Sequence, residues 1–106
     1  MENRIHKRKI VDFKVELLAD GISYAGIVEN ISEKGLYMIA NPSNTSIDFA
    51  SGTKFELKFQ LPLGESLNLP CQVKWSYKTP PHCLTYSMGV EILKQPASFK
   101  KFVKTL

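Results

Sequence analysis

The sequence predicts an all-β domain, a six-stranded antiparallel β-barrel with a short C-terminal α-helix. Three observations support this prediction. Apolar and polar residues alternate over most of the chain, turn-forming residues separate the alternating segments, and the alternation changes to a helical period at the end. A length of 106 residues suits one domain with a single core.

Period-2 alternation marks the strands, because successive side chains of a strand point to opposite faces of its sheet. The clearest alternating segments are 11–17, 55–61, 67–78 and 84–92, and two shorter segments, 23–31 and 35–40, complete the set of six. In the fifth segment the alternation runs unbroken from Leu67 through Trp75 and Tyr77. We therefore expect both of these aromatic side chains in the core rather than in an exposed stacking surface.

Turn residues and a change of period define the other elements. Asp20-Gly21 suits a tight hairpin turn between the first two strands. After Pro96, four apolar residues recur at helical spacing with lysines on the opposite face, and these are Phe99, Phe102, Val103 and Leu106. The pattern predicts a basic, flexible arm over residues 1–9, a barrel over 10–93 and an amphipathic helix over 96–106 that docks on the barrel.

The net charge of +4 is concentrated at the two ends of the chain. Residues 1–14 carry a net charge of +3 and residues 94–106 carry +4, so the central part is mildly acidic. An anionic partner is therefore expected near the termini. No apolar run is long enough to cross a bilayer, and the polar, basic start does not fit a signal peptide. We expect a cytoplasmic protein that does not insert into membranes.

Chemistry-bearing residues are few. Cys71 and Cys83 lie twelve residues apart, no CxxC pair is present, and the chain has only two histidines. This favours reduced, structural cysteines over a zinc site. No nucleophile–base pair, metal-ligand cluster or glycine-rich phosphate loop can be identified, so we expect no catalytic residue, no metal and no enzyme activity.

Two short motifs point to a ligand instead. The segment RIHKR places Arg4 and Arg8 just before the first strand, and guanidinium groups form paired hydrogen bonds with phosphate oxygens and with the O6/N7 edge of guanine. The segment NISEKG then supplies Asn30, Ser32 and Gly35 between two strands. Asn30 can donate and accept hydrogen bonds, Ser32 offers a hydroxyl, and glycine permits backbone conformations closed to other residues.

These two motifs, in this order, resemble RxxxR and [D/N]xSxxG of the PilZ domain, a bacterial receptor for cyclic di-GMP. CQVKW and YSMGVEI are also similar to late strands of that family, so the resemblance covers nearly the whole chain. It implies a PilZ-like barrel of the split type. It also implies cyclic di-GMP as the ligand and a function in motility, exopolysaccharide or biofilm regulation.

The resemblance assigns ligand binding to residues of both motifs. It implies that Arg4 and Arg8 hold the phosphates and guanine edges, while Asn30, Ser32 and Gly35 lie against a guanine. Many members have Asp at the position of Asn30, and an amide oxygen lacks the charge of a carboxylate. Further contacts are expected from residues near the motifs, namely Lys7, Lys9 and Tyr37.

Two other functions stay open at this point. A PilZ-like adaptor would work through protein contacts, with weak or no nucleotide binding. A small barrel that binds single-stranded nucleic acid would need exposed aromatic residues along a groove. We rank the nucleic-acid binder last because the strand aromatics fall on the predicted buried phase. The receptor is expected to signal to a downstream protein, as a monomer or a homodimer.

Overall fold

A computed structural model describes residues 9–41, 49–61, 64–79 and 85–106. Its strands form a closed antiparallel barrel in the order β1-β2-β3-β6-β5-β4, followed by one α-helix, which confirms the predicted fold class. The elements are β1 (Lys9–Ala19), β2 (Ile22–Ile31), β3 (Gly35–Asn41), β4 (Lys54–Gln60), β5 (Ser66–Lys78), β6 (Tyr86–Ile92) and α1 (Ala97–Lys104). No helix in these ranges has the length and apolar character needed to span a membrane.

The barrel interior is filled by the apolar side chains of the alternating pattern. Leu17, Leu57 and Leu69 come from three adjacent strands, and each is fully buried. The strand register places Leu57 opposite both Leu17 and Leu69. Because opposed side chains of an antiparallel pair lie about 5 Å apart, these residues pack in one layer across the barrel.

The β1–β2 hairpin closes through Asp20 and Gly21. Both residues have positive φ, 52° for Asp20 and 77° for Gly21. Two successive residues with positive φ are typical of a type I′ turn, whose twist matches that of the flanking strands. The turn fixes the pairing of Ala19 with Ile22 and hence the register of the hairpin.

The C-terminal helix packs on the barrel as its apolar stripe predicts. Phe99 and Val103 are buried, and the Phe99 ring lies 6.0 Å from the ring of Phe59 in β4. The half-buried Phe102 contacts the rings of Phe59 and of Phe13 in β1, each at 5.8 Å between centroids. Leu106 follows the helix end and is exposed, so the fourth residue of the predicted stripe does not pack on the core.

Register shifts interrupt three of the strand pairs. They fall between Ile10 and Phe13 in β1, between Val28 and Asn30 in β2, and between Val73 and Trp75 in β5. At each shift one strand carries an extra residue, as in a β-bulge, which bends the strand and redirects the side chains that follow.

The bulge in β5 corrects one prediction. Trp75 and Tyr77 were expected in the core, but they are 47% and 49% exposed. Val73 faces the core opposite Val90, Lys74 is the extra residue, and Trp75 then pairs with Gly89. The inserted residue reverses the inside–outside phase, so the two aromatic side chains lie on the outer face of the barrel.

Candidate functional site

The turn between β2 and β3 is held by Ser32. This residue is 5% exposed, and its hydroxyl donates to the carbonyl of Gly35 at 3.1 Å. The Gly35 amide donates to the Ser32 hydroxyl at 3.2 Å, and the Ser32 amide donates to the Gly35 carbonyl at 2.8 Å. These three bonds close the bend locally, as serine side chains often do in turns.

Gly35 takes part through its backbone rather than through an unusual conformation. The described glycines with positive φ are Gly21, Gly52 and Gly64, so Gly35 is not required at this position for a left-handed backbone conformation. Gly35 is buried at the start of β3 and pairs with Glu91 of β6. Its contribution to the turn is the pair of backbone groups that bond to Ser32.

Asn30 lies at the end of β2, half-buried, between β1 and β3. The strand register pairs it with Ile10 on one side and with Tyr37 on the other. The β2 bulge immediately precedes Asn30, and it sets the side of the barrel to which the amide is directed. Asn30 is therefore positioned by both neighbouring strands and by the turn that follows it.

The start of β1 lies beside this motif. Lys9 pairs with Ile31, and Ile10 pairs with Asn30. Ile10 is 93% exposed, which leaves an apolar side chain uncovered next to the Asn30 position. Three of the predicted contact residues, Arg4, Lys7 and Arg8, lie outside the described residues. Arg8 is bonded directly to Lys9, and Lys9 pairs with Ile31 near the start of NISEKG.

An aromatic cluster on the outer face continues the row of paired residues that begins with Ile10 and Asn30. Tyr37 pairs with Gly89, and Gly89 pairs with Trp75. The rings of Tyr37 and Trp75 are 5.5 Å apart at 33°, and those of Trp75 and Tyr77 are 5.8 Å apart at 11°. We call Tyr37, Trp75 and Tyr77 the aromatic platform. Together with Ile10, Asn30 and Gly89 it forms one band across five strands.

Gly89 makes room for the indole of Trp75. A Cβ atom on Gly89 would lie 2.3 Å from both Cε2 and Nε1 of Trp75. Any other residue at this position would displace the ring, since real Cβ contacts essentially never come below 3.0 Å. The indole therefore leans from β5 over β6 towards Tyr37 of β3.

Hydroxyl groups connect the platform to the barrel. The hydroxyls of Tyr37 and Tyr77 are 3.5 Å apart, and the buried Ser87 hydroxyl is 2.7 Å from that of Thr79. A hydrogen bond with Ser87 lowers the pKa of Tyr37, but the Tyr77 hydroxyl, burial and the charge of Glu29 outweigh it and raise the pKa above its usual value. Tyr37 therefore keeps its proton at neutral pH and can donate a hydrogen bond.

A second surface feature lies elsewhere, at the seam between β1 and β4. An open cleft of about 410 Å³ is lined by residues that include Lys14, Glu16 and Lys58. It contains none of the residues of either motif, and its charges are mixed. Within the described part of the chain, no group of three or more His, Cys, Asp and Glu residues could hold a metal ion. The band from Ile10 to Trp75 is thus the candidate site.

The closed barrel and the serine-held β2–β3 turn define a class of small six-stranded β-barrel domains, and sequence comparison identifies the family. The family model of the PilZ domain matches residues 2–104, so the chain belongs to the PilZ domain family. No curated protein sequence matches the chain.

Solved structures share the fold at low sequence identity. The Bacillus subtilis inhibitor of motility MotI/DgrA has a TM-score of 0.79 and 16% identity, over 99% of this chain and 50% of that one. The PilZ domain of Escherichia coli YcgR with c-di-GMP has a TM-score of 0.69 and 12% identity, over 97% and 87% of the two chains. Borreliella burgdorferi PlzA in complex with c-di-GMP has a TM-score of 0.68 and 15% identity, over 97% of this chain and 40% of that one. This chain thus spans about half the length of MotI/DgrA.

Sequence reasoning predicted ligand contacts from the β2–β3 motif and from Tyr37 but missed four residues of the band, namely Ile10, Gly89, Trp75 and Tyr77. Trp75 and Tyr77 were assigned to the core, and Gly89 was noted only as part of a strand. A glycine directly opposite a tryptophan on adjacent strands was the available signal, because glycine in a strand often marks a close approach of another group. That signal depends on the strand register, which the bulge at Lys74 changes.

Proposed function

We propose that this protein is a receptor for cyclic di-GMP, with the ligand held between the basic arm and the β2–β3 turn. The observation that carries the proposal is the pairing of Lys9 with Ile31 and of Ile10 with Asn30. This pairing holds Lys9, the residue that directly follows the arginine motif in the sequence, beside the start of the asparagine motif. Family membership and the c-di-GMP complexes of YcgR and PlzA support the same ligand.

The chemistry of the two motifs complements that of the ligand. Cyclic di-GMP carries two phosphates and two guanines, and the guanidinium groups of Arg4 and Arg8 can pair with phosphate oxygens and with guanine O6 and N7. Lys7 and Lys9 add positive charge near the dianion. The Asn30 side-chain oxygen can accept from a guanine N–H group, and Ser32 and Gly35 hold the turn on which Asn30 depends.

Ligand binding in this arrangement would fix residues 1–9 against the barrel. The arginines close over the ligand while Asn30 and the turn hold a base. The surface presented to a partner protein then differs between the free and the loaded receptor, which is a switch through ordering of a segment. We propose that the loaded form acts on a partner in motility, exopolysaccharide or biofilm regulation, and that the domain signals by binding rather than by catalysis.

Isothermal titration calorimetry with cyclic di-GMP tests the proposal on the wild type, Arg8→Ala and Asn30→Ala. We expect binding at micromolar concentration or tighter. Loss of one charge-assisted hydrogen bond costs about 1.5–3 kcal/mol, so Arg8→Ala should bind roughly 10- to 150-fold more weakly. Asn30→Ala should weaken binding in the same direction by a smaller factor, because its hydrogen bond lacks a charge on the protein side.

Matched controls separate the site from general charge and stability. Lys101→Ala removes an exposed positive charge from α1, and Asn68→Ala removes an exposed amide from β5. Both controls should bind like the wild type. If the wild type shows no heat at high ligand concentration, the protein is an adaptor of the PilZ fold instead. If Lys101→Ala weakens binding as much as Arg8→Ala, the attraction is unspecific and the assigned site is wrong.

A further inference from the structure

We propose that the cleft at the β1–β4 seam binds an extended, acidic peptide segment of a partner protein, which pairs with β1 as an additional strand. Three residues of β1 and three of β4 line this cleft, namely Lys14, Val15, Glu16, Lys58, Phe59 and Gln60. The cleft contains no residue of either motif, so this surface is separate from the candidate site for cyclic di-GMP.

The pairing of β1 with β4 is much shorter than its pairing with β2. The β1–β2 pairing runs from Lys9 to Ala19, whereas the β1–β4 pairing covers only residues 16–18 of β1. Among the described residues, no strand pairs with residues 9–15 on the β4 side. An unpaired strand edge presents a row of N–H and C=O groups to other chains. The seam is therefore the place where this barrel can accept a further strand, in the manner of β-augmentation.

The register of the β1–β2 hairpin shows which backbone groups face the seam. Ala19 and Ile22 flank a two-residue turn, and in such a hairpin the flanking pair exchanges both hydrogen bonds. Every second residue of β1 counted back from Ala19 therefore bonds to β2. The residues between them, which include Glu16 and Lys14, direct their N–H and C=O groups towards β4. Glu16 lies opposite Lys58, but Lys14 has no strand partner there among the described residues.

Side chains on the core face of β1 are less well covered beside the cleft than at the paired end. Leu17 is fully buried and Ala19 is 5% exposed, whereas Phe13 and Val15 on the same face are only half-buried. The rings of Phe13 and Phe59 are 5.5 Å apart, so apolar groups lie beneath the gap between the two strands. A bound strand that alternates apolar and polar residues would cover these groups with its apolar face.

The charge at the rim of the cleft favours an acidic peptide. Lys14 and Lys58 are exposed and lie on its two sides, one on each strand. Neither lysine forms an ion pair with a residue that the structure describes. The carboxylate of Glu16 accepts a hydrogen bond from the Ser23 hydroxyl of β2, so it is already engaged within the hairpin. Acidic residues on the outer face of a bound strand would lie beside both ammonium groups, and such opposite charges on neighbouring strands attract.

A synthetic peptide with this pattern provides the probe. The acidic strand peptide is a capped octapeptide of alternating Glu and Val, and its binding is measured by the fluorescence anisotropy of a labelled copy. We expect saturable binding to the wild type, with a Kd below about 1 mM. Cyclic di-GMP is left out of the measurement, so a failure here overturns the docking site and leaves the proposed receptor function standing.

Variants of Lys14 separate backbone pairing from charge. Proline lacks the N–H group that faces the cleft, and the β1–β2 hydrogen bonds remain because this group does not take part in them. Lys14→Pro should bind the acidic strand peptide at least roughly tenfold more weakly than Lys14→Ala, which loses the same charge but keeps the backbone donor. Thermal unfolding establishes that Lys14→Pro is folded. Equal affinities of the two variants would contradict strand pairing at this edge.

Charge reversal provides a second test that leaves the backbone unchanged. Lys58→Glu should weaken binding of the acidic strand peptide and strengthen binding of a matched octapeptide of alternating Lys and Val. Lys54→Glu makes the same change at an exposed position of β4 that does not line the cleft, and it should bind like the wild type. Equal losses in Lys54→Glu and Lys58→Glu, or equal binding of octaglutamate, would show unspecific attraction and overturn the proposal. This test decides the question if Lys14→Pro is not folded.

Hydrogen exchange and sedimentation locate the peptide and identify other occupants. Exchange of the Lys14 amide should become slower when the acidic strand peptide is bound, and an unchanged rate would contradict its pairing with β1. The wild type should sediment as the same species as Lys14→Pro. A wild-type dimer that Lys14→Pro converts to a monomer would mean that a second copy of this chain occupies the seam, and the proposal of a partner peptide would be wrong.

Discussion

At the scale of single residues, Ser32 and Asn30 of the same motif have different roles. Ser32 is buried, and its hydroxyl is engaged with both backbone groups of Gly35. It therefore acts on the shape of the turn. Asn30 is half-buried at the centre of the band, with Ile10 and Tyr37 beside it. We therefore propose that Asn30 makes the direct contact with a guanine and that Ser32 supports its position.

The asparagine at position 30 leads to a prediction about affinity. A carboxylate accepts stronger hydrogen bonds from guanine N–H groups than an amide oxygen does, because its bonds are charge-assisted. We expect Asn30→Asp to bind cyclic di-GMP more tightly, by about fivefold if the gain is near 1 kcal/mol. Calorimetry of this variant beside Asn68→Asp measures the effect. Weaker binding by Asn30→Asp alone would show that position 30 does not face the N–H edge of a guanine.

The buried thiol of Cys71 should make the free energy of unfolding depend on pH in the alkaline range. Burial raises the pKa of its thiol from 9.0 to about 12, and the thiol donates to the Leu69 carbonyl at 3.4 Å. The folded state therefore holds this proton more tightly than the unfolded state does. Its contribution is complete below pH 9 and is lost as the pH rises towards 12, by at most about 1.4 kcal/mol per pH unit.

Urea unfolding of the wild type and Cys71→Val at pH 8 and pH 10 measures this contribution. The free energy of unfolding of the wild type should fall further between the two pH values than that of the variant. Titration of tyrosines and lysines is common to both proteins and cancels in the comparison. Equal losses in the two proteins would show that the Cys71 thiol is not desolvated.

At the scale of elements, the alternating pattern predicted all six strands and the barrel, because each segment has one apolar face to bury. It also predicted the helix and its docking through Phe99, Phe102 and Val103. The pattern failed at Trp75 and Tyr77. A β-bulge changes the phase of a strand through the insertion of one residue, here Lys74, and depends on the pairing with the neighbouring strand. The register between β5 and β6 cannot be read from the alternating pattern of one strand alone.

The failure at Trp75 also affects the choice between functions. The nucleic-acid hypothesis was ranked last because the aromatic residues were assigned to the core, and that premise is wrong for Trp75 and Tyr77. The ranking now depends on the compact arrangement of the rings and on their place beside the Asn30 motif. The aromatic platform thus adds to the candidate ligand site.

At the scale of elements, the packing of α1 on the barrel leads to a prediction about the free energy of unfolding. Phe99 is fully buried against Phe59, so Phe99→Ala removes a ring from the core and should lower the free energy of unfolding by about 3–5 kcal/mol. That is a large part of the 5–15 kcal/mol typical of a domain. Leu106→Ala, at an exposed position, should change the free energy of unfolding by no more than about 0.5 kcal/mol. Urea unfolding measures both, and similar small effects would mean that α1 does not support the core.

At the scale of the whole molecule, positive charge and candidate site coincide at one end of the chain. The basic residues of the first segment lead into β1 where it pairs with the end of β2. The lysines of α1 belong to the other basic segment, and α1 packs against Phe59 and Phe13. The central claim is that cyclic di-GMP bridges the first segment and the β2–β3 turn, so that ligand binding fixes the arm on the barrel.

Limited trypsin digestion followed by mass spectrometry, with and without cyclic di-GMP, tests this claim most directly. Cleavage after Arg4 and Arg8 should become at least tenfold slower (~1.4 kcal/mol of protection) when the ligand saturates the protein. Cleavage after Lys104, an exposed position at the end of α1, serves as the internal control and should not change. Equal rates of cleavage at Arg4 and Arg8 in the free and the saturated protein would contradict the account.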